Sequence, residues 1–256
     1  NIQSLPFDLC SEIHIDDNLV FPEIFPDLLV EFSRLGFKKR IFWWLSWDNA
    51  PIGNLNKLSY SYFLNSSKHI FQSYYAQYEA KRFGFKGPII SDYTIYNPLK
   101  IKKISKKSID ICYLTRKAYG AEELIIFLKN NFKVQEIDGL DHEGVQDVLM
   151  NSKVFIDFGN LPGKDRIPRE AILYDCIPIL RNIGSGKFSE DFEIPNILKL
   201  DLDTISDPNL LSKKIIYLNK NRELILKQLS EFKKKVKNEF DLFYYQVREK
   251  FLKIFN

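Results

Sequence analysis

Lys164, Arg166 and Arg169 lie within six residues of one another, and Glu170 follows them directly. An arginine can make a forked, bidentate contact to phosphate and a lysine offers a point charge, whereas a carboxylate can accept two hydrogen bonds from a ribose diol. These residue types suit a nucleoside diphosphate. The alternative is a salt-bridge network between two lobes, in which Glu170 merely favours the start of a helix.

The elements around this cluster would place it at the edge of a sheet. Residues 153–158 form an apolar run that is typical of a buried parallel strand, and Pro168 suits the first turn of a helix. A second basic pair, Arg116 and Lys117, follows the apolar run 109–114. Since open α/β sheets bind ligands at the carboxyl ends of their strands, we expect both groups of cations at one edge. The alternative for Arg116 and Lys117 is a loop that faces water.

A glycine turn, Gly184-Ser185-Gly186, follows the predicted strand 176–180. Its backbone N–H groups could cradle an anion at the same edge. An ordinary turn would have the same sequence.

In the first hundred residues, the side chains capable of chemistry follow the predicted strand 40–45. Asp48 could orient or deprotonate an acceptor hydroxyl, and Trp44 or Trp47 could stack on a sugar face. The alternative is a packed aromatic strand end with Asp48 as a turn former. The expected acceptor-side residues are Trp44, Ser46, Trp47 and Asn49.

The composition excludes several classes of protein. The net charge of +4 is mild and accompanies no nucleic-acid-binding motif. The three cysteines are scattered and odd in number, which favours a reducing compartment without disulfides. Three histidines and three cysteines, none in ligand spacing, argue against a metal site. Apolar runs are too short for a membrane helix, so we expect a cytoplasmic protein, free in solution or at the inner face of the membrane.

Alternating strand and helix patterns predict two lobes with parallel sheets. We expect an N-terminal acceptor-side lobe over residues 1–98, a C-terminal lobe over residues 108–235 that carries the cations suited to a diphosphate, and a final helix over residues 236–256 that crosses back to the first lobe. The lysine-rich segment 97–107 would link the lobes.

The apolar runs predict the positions of individual elements. Strands are expected at residues 18–21, 40–45, 68–72, 88–90, 109–114, 132–137, 153–158, 176–180 and 197–198. Helices are expected at residues 22–35, 74–83, 121–130, 141–150, 168 onward, 206–219 and 221 onward. The last helix carries an apolar stripe that favours core packing over a membrane-surface role; it comprises Phe232, Val236, Phe240, Phe243, Val247 and Phe251.

Taken together, these motifs resemble the GT-B class of glycosyltransferases. Residues 157–159, 163–166, 169–171, 176–178 and 184–185 fall in the order seen in the donor-binding lobe of such enzymes. In the first lobe, residues 21–23, 43–46 and 91–93 look like those of a group of bacterial proteins with the same layout.

The resemblance implies an α/β fold of two Rossmann-like lobes, with a short N-terminal lobe, and a nucleotide-sugar donor in the cleft without a cofactor or obligatory metal. Glu170 would match the glutamate that holds the donor ribose, and the basic loops would grip the donor phosphates. The implied donor-binding residues are Arg116, Lys117, Lys164, Asp165, Arg166, Arg169, Glu170, Gly184, Ser185 and Gly186. Retaining members with paired glutamates have one where this chain has Pro162, which leaves the stereochemical course open.

The leading hypothesis is a glycosyltransferase that passes a sugar to a hydroxyl of a glycan or lipid-linked acceptor, as in surface polysaccharide synthesis. Asp48 would act as a base only on an inverting route. Two alternatives stay open: a non-catalytic module that binds a nucleotide or glycan, and a nucleotide-sugar epimerase. No nucleic acid is expected as a partner, whereas peripheral contact with a membrane is compatible with the lysine clusters at residues 100–107 and 233–237.

Overall fold

The computed structural model describes residues 16, 18–23, 36, 39–50, 64–96 and 106–255. Of the predicted helix over residues 22–35, only Pro22 and Glu23 are described; Pro22 ends a strand and Glu23 lies in a turn. Most of the predicted linker over residues 97–107 also lies outside the described residues.

Three parallel strands, in the order β1-β2-β3, form the sheet of the first lobe. They are β1 (Asn18–Pro22), β2 (Lys39–Trp44) and β3 (Lys68–Phe71), and helix α1 (Tyr74–Lys81) follows β3. The strands are rich in aromatic and β-branched residues, which favour a pleated, buried surface. The strand predicted at residues 88–90 is reduced to a single bridge between Ile89 and Phe71.

Five parallel strands, in the order β5-β4-β6-β7-β8, form the sheet of the second lobe. The strands are β4 (Ile109–Leu114), β5 (Val134–Ile137), β6 (Ser152–Asp157), β7 (Ile177–Arg181) and β8 (Lys199–Leu200). Helices α2 (Glu122–Asn131), α3 (His142–Asn151) and α4 (Arg166–Leu173) connect the first four of these strands in chain order. Apolar clusters cover both faces of this sheet, as expected for a doubly wound parallel sheet.

The single long helix predicted from residue 221 is instead a series of shorter helices. The C-terminal helices are α5 (Leu202–Ser206), α6 (Pro208–Lys220), α7 (Arg222–Gln228), α8 (Ser230–Lys237), α9 (Glu239–Gln246) and α10 (Leu252–Phe255), with a π-helical turn over Val247–Phe251. Helix α8 packs on the second lobe, and the residues that follow it reach the first.

The predicted apolar stripe is therefore divided between two cores. Phe232 and Val236 are buried in the core of the second lobe, whereas Phe243, Val247 and Phe251 pack against the first sheet. Phe240 lies between the two regions, is 55% exposed, and makes an edge contact with Tyr93. Core packing accounts for the stripe except at Phe240.

Asp191 of the second lobe caps helix α1 of the first lobe. Its two carboxylate oxygens accept the backbone N–H groups of Tyr74 and Tyr75 at 2.9 and 3.0 Å. These N–H groups lack partners within α1 because they open the helix. Burial raises the pKa of Asp191 to about 6, against the opposing effect of the two N–H groups.

Arg169 forms a second contact between the lobes and is completely buried. Its guanidinium donates to Asp92 Oδ1 at 2.8 Å and to Glu239 Oε2 at 2.6 Å, and also to the carbonyls of Asp165 and Lys164. These four hydrogen bonds engage nearly all of its N–H donors. The predicted phosphate contact of Arg169 is thus replaced by the alternative, a salt-bridge network between lobes.

Lys164 belongs to the same network. Its ammonium lies 3.2 Å from Glu239 Oε1, and its side chain is only 11% exposed. Glu239 Oε2 also accepts the backbone N–H of Thr94 at 3.0 Å. Glu239, the first residue of α9, therefore joins the C-terminal helices to the loop at Lys164 and to the segment at Thr94.

We expect a pH-dependent difference in stability between the wild type and Asp191→Asn. Because the folded-state pKa is raised above the ordinary value of 3.8, the carboxyl favours folding when protonated, and this contribution is lost as the pH rises through about 6. Between about pH 4 and pH 7, the free energy of unfolding of the wild type should fall relative to the variant by up to about 3 kcal/mol. Urea unfolding at both pH values measures this difference, and a pH-independent difference would contradict it.

Arg169→Met should lower the free energy of unfolding by about 3–5 kcal/mol, because it leaves buried carboxylate charge without its partner. Arg166→Met is the matched control: its side chain is 54% exposed, so we expect a change of at most about 1 kcal/mol. Chemical denaturation of both variants is the measurement. Equal destabilisation would show that Arg169 is not the residue that holds the lobes together.

Candidate functional site

Two adjoining cavities lie at the carboxyl end of β4. The interlobe cavity, of about 280 Å³, is lined by both lobes, including Ser46, Gln72 and Asp92 of the first. The second-lobe cavity, of about 230 Å³, is lined by the ends of β4 and β5 and the starts of α3 and α4. Both cavities share Leu114, Arg116, Arg166 and Ile167 in their linings. They adjoin at the sheet edge where the sequence predicts a site, and together they are called the groove.

The loop that enters this groove is held by the first lobe. The backbone N–H of Trp47 donates to the Pro162 carbonyl at 2.7 Å, and the Lys164 N–H donates to Gln72 Oε1 at 3.0 Å. A Cβ atom on Gly163 would lie 2.2 Å from the Leu45 carbonyl oxygen. Only glycine permits this approach, which explains why the loop carries Gly163 between its proline and its cations.

Arg116 and Arg166 border both cavities and are exposed. Arg166 lies at the first position of α4, and its Nε is 3.3 Å from Glu170 Oε1. Arg116 has no salt bridge to any described residue. The structure thus brings together these two predicted cations, from loops about fifty residues apart in the sequence, with guanidinium groups accessible to a ligand.

Lys117 also lines the interlobe cavity, but two carboxylates already balance its charge. Its ammonium lies 2.6 Å from Asp165 Oδ2 and 3.3 Å from Asp157 Oδ2. Burial alone would lower the pKa of Lys117, yet attraction to Asp157 and Asp165 raises it overall. Burial raises the pKa of Asp165, and Lys117 opposes this shift. Lys117 and Asp165 are therefore placed at the cavity as an ion pair.

Glu170 is buried at the wall of the second-lobe cavity. Its Oε1 accepts no hydrogen bond from the described residues, although Arg166 Nε lies 3.3 Å and His142 Nδ1 3.8 Å away. Burial raises the pKa of Glu170, while His142, Arg166 and Arg169 oppose the shift. A buried carboxylate oxygen that accepts no hydrogen bond is costly, and a hydroxyl ligand would relieve that cost.

The glycine turn has a different environment from the predicted anion cradle. The Ser185 N–H donates to the Leu161 carbonyl and the Gly186 N–H to the Ile183 carbonyl. Ser185 Oγ donates to the Gly163 carbonyl at 2.5 Å. None of Gly184, Ser185 and Gly186 lines either cavity, and the bonds of Ser185 support the loop at Gly163.

Of the residues predicted in the first lobe, some line the interlobe cavity and others do not. Trp44 and Trp47 are buried in an aromatic core, and Trp44 Nε1 donates to His69 Nδ1 at 3.1 Å. Their predicted role in stacking on a sugar is thus replaced by core packing. Ser46 and Asn49 line the interlobe cavity. Asp48 lines neither cavity, and its Oδ1 accepts the Tyr75 hydroxyl at 2.6 Å.

No role is predicted from the sequence for two buried acids near the site, Glu23 and Glu239. Glu23 accepts the N–H groups of Leu45 and Ser46 at 2.8 and 2.7 Å, and burial raises its pKa to about 7. Glu239 does leave a signal, because it follows Val236 by three residues and therefore occupies a buried position of the apolar stripe.

The described residues contain no cluster of three or more histidine, cysteine or acidic side chains that could bind a metal ion. Among the described helices, none is sufficiently long and apolar to span a bilayer.

No protein-family model matches the sequence, and no curated protein matches it. Solved structures do match. A variant of Staphylococcus aureus TarM, in complex with fondaparinux, α-GlcNAc-glycerol and UDP, has a TM-score of 0.67 at 16% identity over 97% of this chain and 57% of TarM. The present chain therefore spans little more than half the length of that protein.

Two sugar-phosphate synthases are also similar. Sucrose-phosphate synthase from Thermosynechococcus elongatus has a TM-score of 0.60 at 12% identity, over 88% of this chain and 70% of its own. A UDP-forming α,α-trehalose-phosphate synthase from Burkholderia xenovorans has a TM-score of 0.61 at 10% identity, over 94% of this chain and 75% of its own.

All three proteins are GT-B glycosyltransferases. At these identities the similarity concerns the fold, and it agrees with the two parallel sheets flanked by helices. The chain has the α/β, Rossmann-like GT-B fold that its motifs predict.

Proposed function

We propose that this protein is a metal-independent glycosyltransferase that moves a sugar from a nucleotide-sugar donor to a hydroxyl of a glycan acceptor, as in surface polysaccharide synthesis. The observation that carries the proposal is the position of Arg116 and Arg166 at the junction of the two cavities. The fold supports it, since TarM was crystallised with UDP and the Burkholderia synthase forms UDP.

In this proposal the diphosphate of the donor binds between Arg116 and Arg166. Helix α4 begins beside them, and Asp165 does not cap its first N–H groups with its side chain. Free N–H groups at a helix N-terminus favour an anion. Lys117 and Lys164 are largely buried and paired with carboxylates. Arg166 contacts Glu170 through Nε but is 54% exposed, so the exposed guanidinium groups of Arg116 and Arg166 are the cations accessible to the diphosphate.

The remaining parts of the donor would occupy the two cavities on either side. The nucleoside would lie in the second-lobe cavity, where Glu170 has a carboxylate oxygen that accepts no hydrogen bond from the described residues and could accept one from the ribose. The sugar would then project into the interlobe cavity, towards Ser46 and Asn49. This arrangement places the bond to be broken between the cations and the first lobe.

The chemistry requires stabilisation of the negative charge that develops on the departing diphosphate. Guanidinium groups fixed at that position stabilise the transition state more than the ground state. Because the cavity lies between the lobes, a bound donor is also shielded from water, which limits hydrolysis.

We expect UDP, or one of GDP, ADP and CDP, to raise the melting temperature of the wild type by several degrees at about 1 mM. Arg166→Met should weaken that binding at least about tenfold, equivalent to about 1.4 kcal/mol. The control is Arg82→Met, because the Arg82 side chain is 71% exposed and lies outside both cavities. Thermal-shift titrations measure all three proteins, and unchanged affinity in Arg166→Met would contradict the site.

Glu170→Gln should specifically reduce the recognition of ribose. We expect the wild type to bind the ribonucleoside diphosphate about tenfold more tightly than its 2′-deoxy analogue, because the Glu170 carboxylate accepts hydrogen bonds from the ribose hydroxyls. The variant should lose most of this preference. Calorimetric titration of both nucleotides against both proteins tests this, and an equal preference in the two proteins would remove Glu170 from the site.

A further inference from the structure

The interlobe cavity contains a first-lobe carboxylate for which the donor-binding scheme has no use. Asp92 lines this cavity, whereas Asp48 does not. The second-lobe carboxylate in the lining, Asp165, is bound to Lys117 at 2.6 Å. Among the described residues that line the cavity, Asp92 is therefore the acid available on the acceptor side.

One oxygen of Asp92 is fixed and the other is free. Oδ1 accepts Arg169 Nη2 at 2.8 Å, and Arg169 is itself completely buried. No described residue hydrogen-bonds to Oδ2. The Asp92 side chain is 35% exposed, against none for Arg169. A rigid, buried cation thus holds a carboxylate whose second oxygen is accessible to a ligand.

A second polar residue lies on the same side. Ser46 lines the interlobe cavity together with Asp92, and its buried hydroxyl interacts with the Glu23 carboxylate. Ser46 therefore extends the polar surface beside Asp92 on the first-lobe side.

The two lobes line the cavity with side chains of opposite charge. Arg116 and Arg166 line its second-lobe side, where the diphosphate is proposed to bind, and Asp92 lines its first-lobe side. This polarity suits a displacement in which a nucleophile enters beside a carboxylate and an anion leaves beside cations. Pro162, which also lines the cavity, contributes no carboxylate.

We propose that Asp92 is the catalytic base and that the transfer inverts the anomeric configuration; this inference rests on the proposed glycosyltransferase function. Asp92 Oδ2 takes the proton of the acceptor hydroxyl while the oxygen of that hydroxyl forms a bond to the anomeric carbon. The bond from that carbon to the diphosphate oxygen breaks on the opposite face. Its electron pair leaves with the diphosphate, whose charge Arg116 and Arg166 neutralise.

The test uses Asp92→Asn, which retains a side-chain oxygen for Arg169. The wild type is incubated with the α-linked donors UDP-glucose, UDP-N-acetylglucosamine, UDP-galactose and GDP-mannose, with water as acceptor. We expect the variant to lose at least about 100-fold in turnover, the usual effect of removing a general base. Its affinity for the matching nucleoside diphosphate should stay within about threefold. The matched control, Asp48→Asn, should keep its turnover within about threefold.

The configuration of the released sugar separates catalysis from a structural role. Proton NMR in the first minutes, before mutarotation, should show the β-anomer from the wild type. An α-anomer, or turnover of Asp92→Asn within about tenfold of the wild type, would overturn the assignment of Asp92. If the wild type neither binds a nucleoside diphosphate nor consumes a donor, the proposed glycosyltransferase function fails and the inference fails with it.

Discussion

The structure depends on one buried guanidinium. Arg169 donates to Asp92 of the first lobe, to Glu239 at the start of α9, and to the loop that precedes its own helix. A buried cation is tolerated only with such partners, so the three segments must meet at this residue. Their meeting fixes the start of α4 and, with it, the position of Arg166. The two lobes and the groove between them are thus arranged around an ion network rather than around continuous apolar packing.

This network divides the basic residues into two sets with different tasks. Arg169, Lys164 and Lys117 each lie within 3.3 Å of an acid and hold the loops in place. Arg116 and Arg166 remain exposed at the junction of the cavities. The first set is largely buried and contributes to the fold, whereas the guanidinium groups of the second set are exposed to a ligand, although Arg166 Nε also contacts Glu170. A sequence shows five similar cations, and only their burial and contacts distinguish these roles.

Local patterns predict the three central strands of the second sheet well, because each is a short run of mostly apolar residues. The strand predicted at residues 109–114 has those bounds in the structure, and those at 153–158 and 176–180 shift by one residue. The edge of that sheet, and hence the meeting of Arg116 and Arg166, follows from the same patterns. Contacts distant in sequence are not predictable in this way. Glu239 lies 70 residues from Arg169, the amides around Ser185 bind the neighbouring loop, and Trp44 faces the core because β2 is covered on that side.

A crystal structure of the protein with UDP or the nucleoside diphosphate that stabilises it most would test the central claim most directly. The account predicts the diphosphate between the guanidinium groups of Arg116 and Arg166, with the ribose against Glu170 and Arg169 still bound to Asp92 and Glu239. A nucleotide bound outside the groove, or one whose phosphates displace Glu239 from Arg169, would contradict it.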